Sequence, residues 1–310
     1  MLDHEPSAAC GRVPGCGRRM RRASLRVAWL AAAWCGMAAT AGAQETLDRR
    51  LPADRDVSLR IYNLTGAVHV IGWDRDSVAV TGTLGKGLRF AMGGTRSAMK
   101  LGPDRQDEQH PGPPTILEVR VPRTARVWIK TSSAPVTVDG VRGGLDVYTV
   151  DGPITVAGDP RELRAESMDG DIIVTGAPAW ARLKTAAGAV DLRGGGGDVG
   201  LSSVSGGLTV SGGAVERGRL ETVSGPIVFA AAMVRGGSYD FDSHGGRVEL
   251  RIPPDLGVDL EATTLHGVIE GPVTAGRARP AGRTFSLVSG DAAARIAVRT
   301  FKGSIHLRRP

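Results

Sequence analysis

Nine hydroxyls recur at one position of a short repeated phrase: Thr131, Thr149, Ser167, Thr185, Ser203, Thr222, Ser243, Thr264 and Thr300, with Asn63 in the same slot of an earlier copy. A hydroxyl becomes a nucleophile only with a base beside it, and no His or Lys recurs with these. By parity the slot points inward, and a buried hydroxyl needs a partner. The row therefore predicts a polar ladder bonded to neighbouring repeats, not a row of catalytic groups.

The carboxylates offer a second chemistry. Asp151 and Asp169 precede glycines in successive copies, and Asp139 and Asp191 lie near other bends. Acid clusters on one face serve polysaccharide hydrolases, and some acid sites hold calcium. Ser133, Ala187 and Ser205 fill the same column as Asp151 and Asp169, so the acid row is two residues long. Asp before Gly is ordinary turn chemistry. His69, His110, His244, His266 and His306 show no HxH or HExxH spacing. His69 and His306 share an outward slot far apart, and His244 with His266 is the one pair in neighbouring copies near the same bend. Trp73, Trp128 and Trp180 are candidate sugar platforms, but they occupy unrelated positions of the phrase, which favours end or edge cover. Gly194 to Gly197 lack the Lys-Ser/Thr of a phosphate loop and read as a corner. No catalytic, cofactor-binding or metal-ligating residue is assigned, and no enzyme is expected.

What must position these groups is the repeat. The phrase is apolar, any, apolar, any, Ser or Thr, two variable residues, Gly, any, apolar, any, apolar. It reads Leu145, Val147, Thr149, Gly152, Ile154, Val156, then Leu163, Ala165, Ser167, Gly170, Ile172, Val174. Later copies centre on Gly188, Gly206, Gly225, Gly246, Gly267 and Gly303, and earlier ones on Ala134 and Gly66. Steps from 134 to 206 are 18 residues, then 19, 21, 21 and 36. A fixed period of this kind marks a repeat architecture.

Alternation at period two gives two one-face-buried strands per repeat, joined at the glycine. A second glycine, at 140, 158, 176, 194 and 212, supplies another bend by reaching positive φ. Eighteen residues span roughly 60 Å, enough for one coil with three flat sides, and stacking at about 4.8 Å pairs each strand with its counterparts in adjacent coils. The alternative, a string of hairpins, is weakened by Pro135, Pro153 and Pro226, which lack the N–H a two-residue hairpin turn uses. A membrane barrel needs strands of about 9–11 residues and aromatic girdles, and Phe, Trp and Tyr total 13 of 310 residues.

Residues 18 to 43 read as a secretory signal: Arg18, Arg19, Arg21, Arg22 and Arg26, an apolar run from Val27 to Ala41, and the Ala41-Gly42-Ala43 cleavage motif. Met20 is an alternative start. Cys10, Cys16 and Cys35 all lie before that site, so the exported part holds no cysteine. Removing residues 1–43 takes six arginines and two acids, leaving 33 basic and 30 acidic residues. The basic surplus belongs mostly to the signal, and nucleic acid is not an expected partner. No later run of eighteen apolar residues exists to span a membrane.

The expected organisation is a signal peptide with its upstream extension (1–43), a short lead (44–56), and one β-solenoid domain (57–310) carrying an exposed, Gly- and Pro-rich loop at 84–114. A second irregular stretch spans Gly271 to Arg283. Arg308, Arg309 and Pro310 after the last strand read as edge protection.

The stretch Asn63-Leu64-Thr65-Gly66-Ala67-Val68-His69-Val70-Ile71-Gly72-Trp73-Asp74, the glycine-centred repeats, and the closing Thr300-Phe301-Lys302-Gly303-Ser304-Ile305-His306-Leu307 resemble the bacterial putative-adhesin family of β-strand-repeat envelope proteins, related to auto-transporter adhesin head domains. The resemblance covers residues 57–310. It implies a right-handed single-stranded β-helix (β-solenoid) and carries no catalytic residue. The expected function is an exported, non-catalytic scaffold or adhesin-like surface of the cell envelope, in periplasm or outside, with envelope proteins or glycans as partners and no cofactor. The alternative is a carbohydrate-active enzyme, a lyase or hydrolase, on the same fold.

Overall fold

In the computed structural model, residues 45–104, 110, 112–271, 279–281 and 284–309 are described. The signal segment, its cysteines and the cleavage site lie outside them. The described chain is all-β, with 25 strands in one continuous sheet and no helix.

The alternating residues form the strands the phrase dictates. Gly144–Tyr148 leads through a bend at Gly152 to Ile154–Ala157, and a second bend leads to Glu162–Glu166. Each strand lies parallel to the one a repeat later. Leu145 pairs with Leu163, Leu163 with Ala181, and Ala181 with Val199. On the other ladder Ile154 pairs with Ile172, Ile172 with Val190, and Val190 with Leu208. Inward positions are fully buried. Volumes compensate within a repeat: Leu163 sits with Ala165, and the next repeat inverts the pair as Ala181 and Leu183. Close packing penalises both voids and overfilling, so the inversion keeps the interior filled.

The strict 18-residue repeats have two strands each, not the three sides that the chain length suggested. A third side forms only where the steps lengthen to 19 and 21 residues. Within Leu208–Thr222 and Ile227–Ser243, Ala214 pairs with Ala232 and Val215 with Met233 between the two principal ladders. The interior there is filled by Phe229, Tyr239 and Phe241, with ring centroids 5.7 and 5.3 Å from Phe229. Gly218 makes room, since a Cβ there would press on the Tyr239 ring at 3.2 Å.

Spatial order departs from chain order at both ends. Ala294–Thr300 lies between Ile227–Ser243 and Val258–Thr264, and Ile305–Arg308 lies between Val248–Arg251 and Ile269–Glu270. At the other end Ser58–Tyr62 lies between Ala98–Asp104 and Arg126–Lys130. Gly66–Trp73 likewise lies between Thr115–Pro122 and Val136–Asp139. Antiparallel strands then cover the outermost ones: Ser77–Leu84 on Thr115–Pro122 and Glu45–Pro52 on Ser77–Leu84, with Thr284–Val288 on Val258–Thr264 at the far end. A parallel stack leaves an unpaired edge at each end, and an antiparallel strand with a short return covers it.

The 84–114 segment is not simply a loop: Arg89–Gly94 and Ala98–Asp104 form an antiparallel pair whose second strand extends the parallel ladder at Ser58–Tyr62. The C-terminal strand is not an edge, so Arg308 and Arg309 protect none. Arg308 pairs with Glu249 at 2.9 Å, and Arg309 donates to the carbonyls of Pro254 and Leu256 at 2.8 and 2.9 Å.

Candidate binding face

The inward Ser/Thr row is structural. Thr185 Oγ1 accepts from the Gly188 N–H at 3.1 Å and donates to the Met168 carbonyl of the preceding repeat at 3.3 Å. Thr149, Ser167 and Ser203 repeat the arrangement. The ladder joins hydroxyl to backbone rather than hydroxyl to hydroxyl. Thr131 is the exception, its hydroxyl unpartnered among the described residues, in the copy where Ala134 replaces glycine.

The glycine that follows the row answers to proximity rather than to φ in every copy from Gly152 onward, whereas Gly66 has a φ of 106°. A Cβ on Gly188 would collide with the Gly170 carbonyl oxygen, and one on Gly206 with that of Gly188. The second glycines, Gly140, Gly158 and Gly176 among them, do adopt positive φ of 67°, 128° and 143°.

The other candidates are dispersed. Asp151 and Asp169 are exposed at bends. Asp139 pairs with His69 at 2.6 Å and Asp191 with Arg193 at 2.6 Å. His306 contacts Glu270 at 2.9 Å and Ser304 at 3.0 Å. His244 and His266 are not in adjacent rows: Phe301 lies between them, stacked on His244 at 4.8 Å and edge-on to His266 at 5.3 Å. No group of three or more metal-ligating side chains occurs among the described residues. Trp73 is end cover, with Arg50 and Arg75 over its ring at 5.2 and 5.3 Å and its Nε1 donating to the Ser77 carbonyl. Gly194 to Gly197 form a corner between Val190–Arg193 and Asp198–Ser203.

Trp128 and Trp180 behave otherwise. In register, the outward residues of the ladder that contains Arg126–Lys130, Gly144–Tyr148, Glu162–Glu166 and Trp180–Lys184 fall into straight columns, and neighbouring strands lie about 4.8 Å apart. Lys100 Nζ lies 4.6 Å from the Tyr62 ring centroid. Tyr62 meets Trp128 at 5.0 Å, and Trp128 meets Tyr148 at 5.9 Å. Tyr148 adjoins Arg164 and, more than any other neighbour, holds that guanidinium protonated against the opposing effect of burial. Arg164 and Arg182 both lie over Trp180, at 5.8 and 4.7 Å. Arg182 then reaches Asp198 at 2.9 Å, which Arg217 shares at 3.2 Å. Burial alone would raise the Asp198 pKa, but the hydrogen bonds from Arg182 and Arg217 outweigh it and leave the carboxyl below its usual range.

This file of rings and cations, from Lys100 to Arg217, crosses eight adjacent strands. It borders two open hollows that share Trp180 and Arg164. One, of about 450 Å³, lies over Gly144 with Arg126, Asp146 and Glu162. The other, of about 510 Å³, lies over Gly200 with Glu166, Arg182, Lys184, Ser202, Arg219 and Glu221. Along the chain Trp128 and Trp180 occupy unrelated slots of the phrase. The signal was available only after folding the repeats into columns, where positions 62, 130 and 148 align and position 128 lies one column over.

A second feature also escaped the sequence. The first variable slot after the Ser/Thr holds Val150, Met168, Val204, Val223, Leu265 and Phe301, exposed by 38–56% along one corner. The corner backbone is bonded repeat to repeat, Met168 N–H to Val150 carbonyl and Ala186 N–H to Met168 carbonyl at 3.0 and 2.9 Å.

No protein-family model and no curated protein matches the chain. Solved structures similar to it include a putative lipid binding protein from Parabacteroides distasonis ATCC 8503, 12% identical, covering 85% of this chain and 96% of that one with a TM-score of 0.46. A putative adhesin from Bacteroides fragilis NCTC 9343 is 11% identical over 86% and 98%, with a TM-score of 0.40. A putative cell adhesion protein from Clostridium sporogenes ATCC 15579 is 9% identical over 86% and 100%, with a TM-score of 0.20. No helix among the described residues is long and apolar enough to cross a membrane.

Proposed function

We propose that the protein is a right-handed single-stranded β-helix exported to the bacterial cell envelope, where it works as a non-catalytic, adhesin-like interaction surface for envelope proteins or glycans. The observation that carries this reading is the file from Lys100 to Arg217. It spaces rings and guanidinium groups at the strand repeat along one flat side. Such a side binds extended partners at several points, and linked weak contacts reinforce one another. The one carboxylate in the file, Asp198, is held in ion pairs with Arg182 and Arg217 rather than poised for acid catalysis. A general acid at neutral pH needs a raised carboxyl pKa, and Asp198 is lowered.

The test is a glycan array run with the whole chain, together with crosslinking of the exported protein in envelope fractions. The array ligands are then incubated with the protein and their chain lengths measured. Retention of a glycan or an envelope protein with ligand length unchanged is the expected result. Shortened glycans would replace this reading with that of a lyase or hydrolase.

A further inference from the structure

We infer that the hollow beside Trp180 is a binding site for a carboxylate-bearing oligosaccharide. This rests on the interaction-surface reading above and gives it a ligand class.

Three features of the hollow select that class. The first is the Trp180 ring, which projects outward from the first residue of its strand and lines the hollow, where an aromatic surface can meet the C–H side of a pyranose. Arg164 and Arg182 stand beside it, 5.8 and 4.7 Å from the ring centroid, and line the hollow with it, so a sugar packed against the ring also meets cations.

The second is Gly200. The neighbouring residues of its column, Arg182 and Arg219, carry long side chains. With no side chain at 200, the arm of Arg182 lies across that position, and a Cβ there would sit 2.7 Å from Arg182 Cδ. Arg182 therefore runs flat along the sheet to Asp198 at 2.9 Å instead of standing into solvent. The hollow stays open between the Trp180 ring and Arg219.

The third is charge. Four cations, Arg164, Arg182, Lys184 and Arg219, line the hollow against two carboxylates, Glu166 and Glu221. Arg182 is committed to Asp198 and Arg219 to Glu221. The Lys184 ammonium has no ion-pair or hydrogen-bond partner among the described residues, and Lys184 lines the hollow from the strand that carries Trp180. A ligand carboxylate reaching Lys184 and Arg164 completes the charge complement. Glu166 and Ser202 remain to accept from or bond to sugar hydroxyls. A nucleic acid strand fits this lining less well, because its regular phosphates would also meet Asp146, Glu162, Glu166 and Glu221 along the same face.

The experiment titrates the whole chain with trigalacturonate, triguluronate and an α2,8-linked sialic acid trimer, following tryptophan fluorescence and calorimetry. The fully methyl-esterified form of each trimer is its neutral control. At least one acidic trimer binds, and its ester binds about tenfold or more weakly, as loss of a charge-assisted contact requires. Trp180→Ala and Lys184→Glu each weaken binding about tenfold or more. Lys184→Arg stays close to the parent, and affinity falls as salt rises. Circular dichroism on each variant verifies the fold, which these outward substitutions leave intact. No binding of any acidic trimer, equal binding of acid and ester, or an unchanged affinity in both Trp180→Ala and Lys184→Glu overturns the site. If the array or crosslinking still finds a partner that Trp180→Ala retains, the interaction-surface reading survives and only this site falls. If the trimers are cleaved, the interaction-surface reading itself is wrong.

Discussion

Leu260 and Ile296, 36 residues apart in the chain, are register partners on adjacent parallel strands. On its other side Ile296 pairs with Tyr239. The last strands of the chain thus complete the interior, while an earlier segment, Val258–Thr264, lies farther out. Ile296→Ala is expected to cost about 2–5 kcal/mol, as deletion of a fully buried aliphatic side chain does. Ile269→Ala, in the outlying strand Ile269–Glu270 and only partly buried, should cost clearly less. Urea titration of both variants followed by circular dichroism measures the order, and a larger loss at Ile269 would contradict the intercalated arrangement.

Gly206 and Gly207 are neighbours with opposite surroundings. A Cβ on Gly206 would collide with the Gly188 carbonyl oxygen, whereas one on Gly207 would meet nothing nearer than Pro226 Cγ at 3.5 Å. Neither residue adopts positive φ, so steric approach alone separates them. Gly206→Ala should destabilise by about 1–3 kcal/mol, the usual cost of overpacking. Gly207→Ala should change stability little or raise it slightly, since alanine restricts the unfolded chain. Thermal melts of the two single variants give the comparison directly.

The phrase around Gly152 and Gly170 made the strands, the inward hydroxyls and the parallel pairing legible, because each follows from period two and a fixed step. The intercalation of Ile296 between Tyr239 and Leu260 was not legible, because the 294–300 copy fits every slot of the phrase wherever it stands in the stack. The strands in 84–114 were hidden by Gly85, Gly87, Gly93 and Gly94, which read as loop residues although Arg89–Gly94 pairs antiparallel. Along the chain Trp128 and Trp180 fall in unrelated slots of the phrase. Their shared face is a property of columns across repeats, as is the apolar corner of Val150, Met168 and Val204.

Thr185 and Thr131 occupy the same slot with different partners. Thr185 Oγ1 bridges the Gly188 N–H and the Met168 carbonyl, and Thr131 Oγ1 has no partner among the described residues. Thr185→Val keeps the shape and strands a buried N–H, at a cost of about 1–3 kcal/mol. Thr131→Val removes a buried polar atom that gains nothing from the fold, and should be neutral or stabilising. Chemical denaturation of the pair separates a bonded ladder from a row of generic small side chains. Equal effects at both positions would contradict the ladder.

Tyr239 gives the fold an alkaline limit. Its ring is buried, and its hydroxyl accepts from the Val234 N–H at 2.8 Å while donating to the Val215 carbonyl at 2.6 Å. Burial raises the phenol pKa, Glu216 adds to the rise, and the Val234 N–H opposes it. Because the folded pKa lies above the unfolded one, the folded state binds the proton more tightly. That contribution is fully present below the ordinary phenol value of about 10 and is lost as pH climbs from there through the folded pKa. Tyr239→Phe removes both hydrogen bonds, so it should be less stable at neutral pH by about 1–3 kcal/mol. It also removes this titration, so the gap between parent and variant should narrow steadily above about pH 10. Denaturation midpoints measured from pH 7 upward test both halves. A gap that stays constant with pH would mean that Tyr239 does not couple its proton to folding.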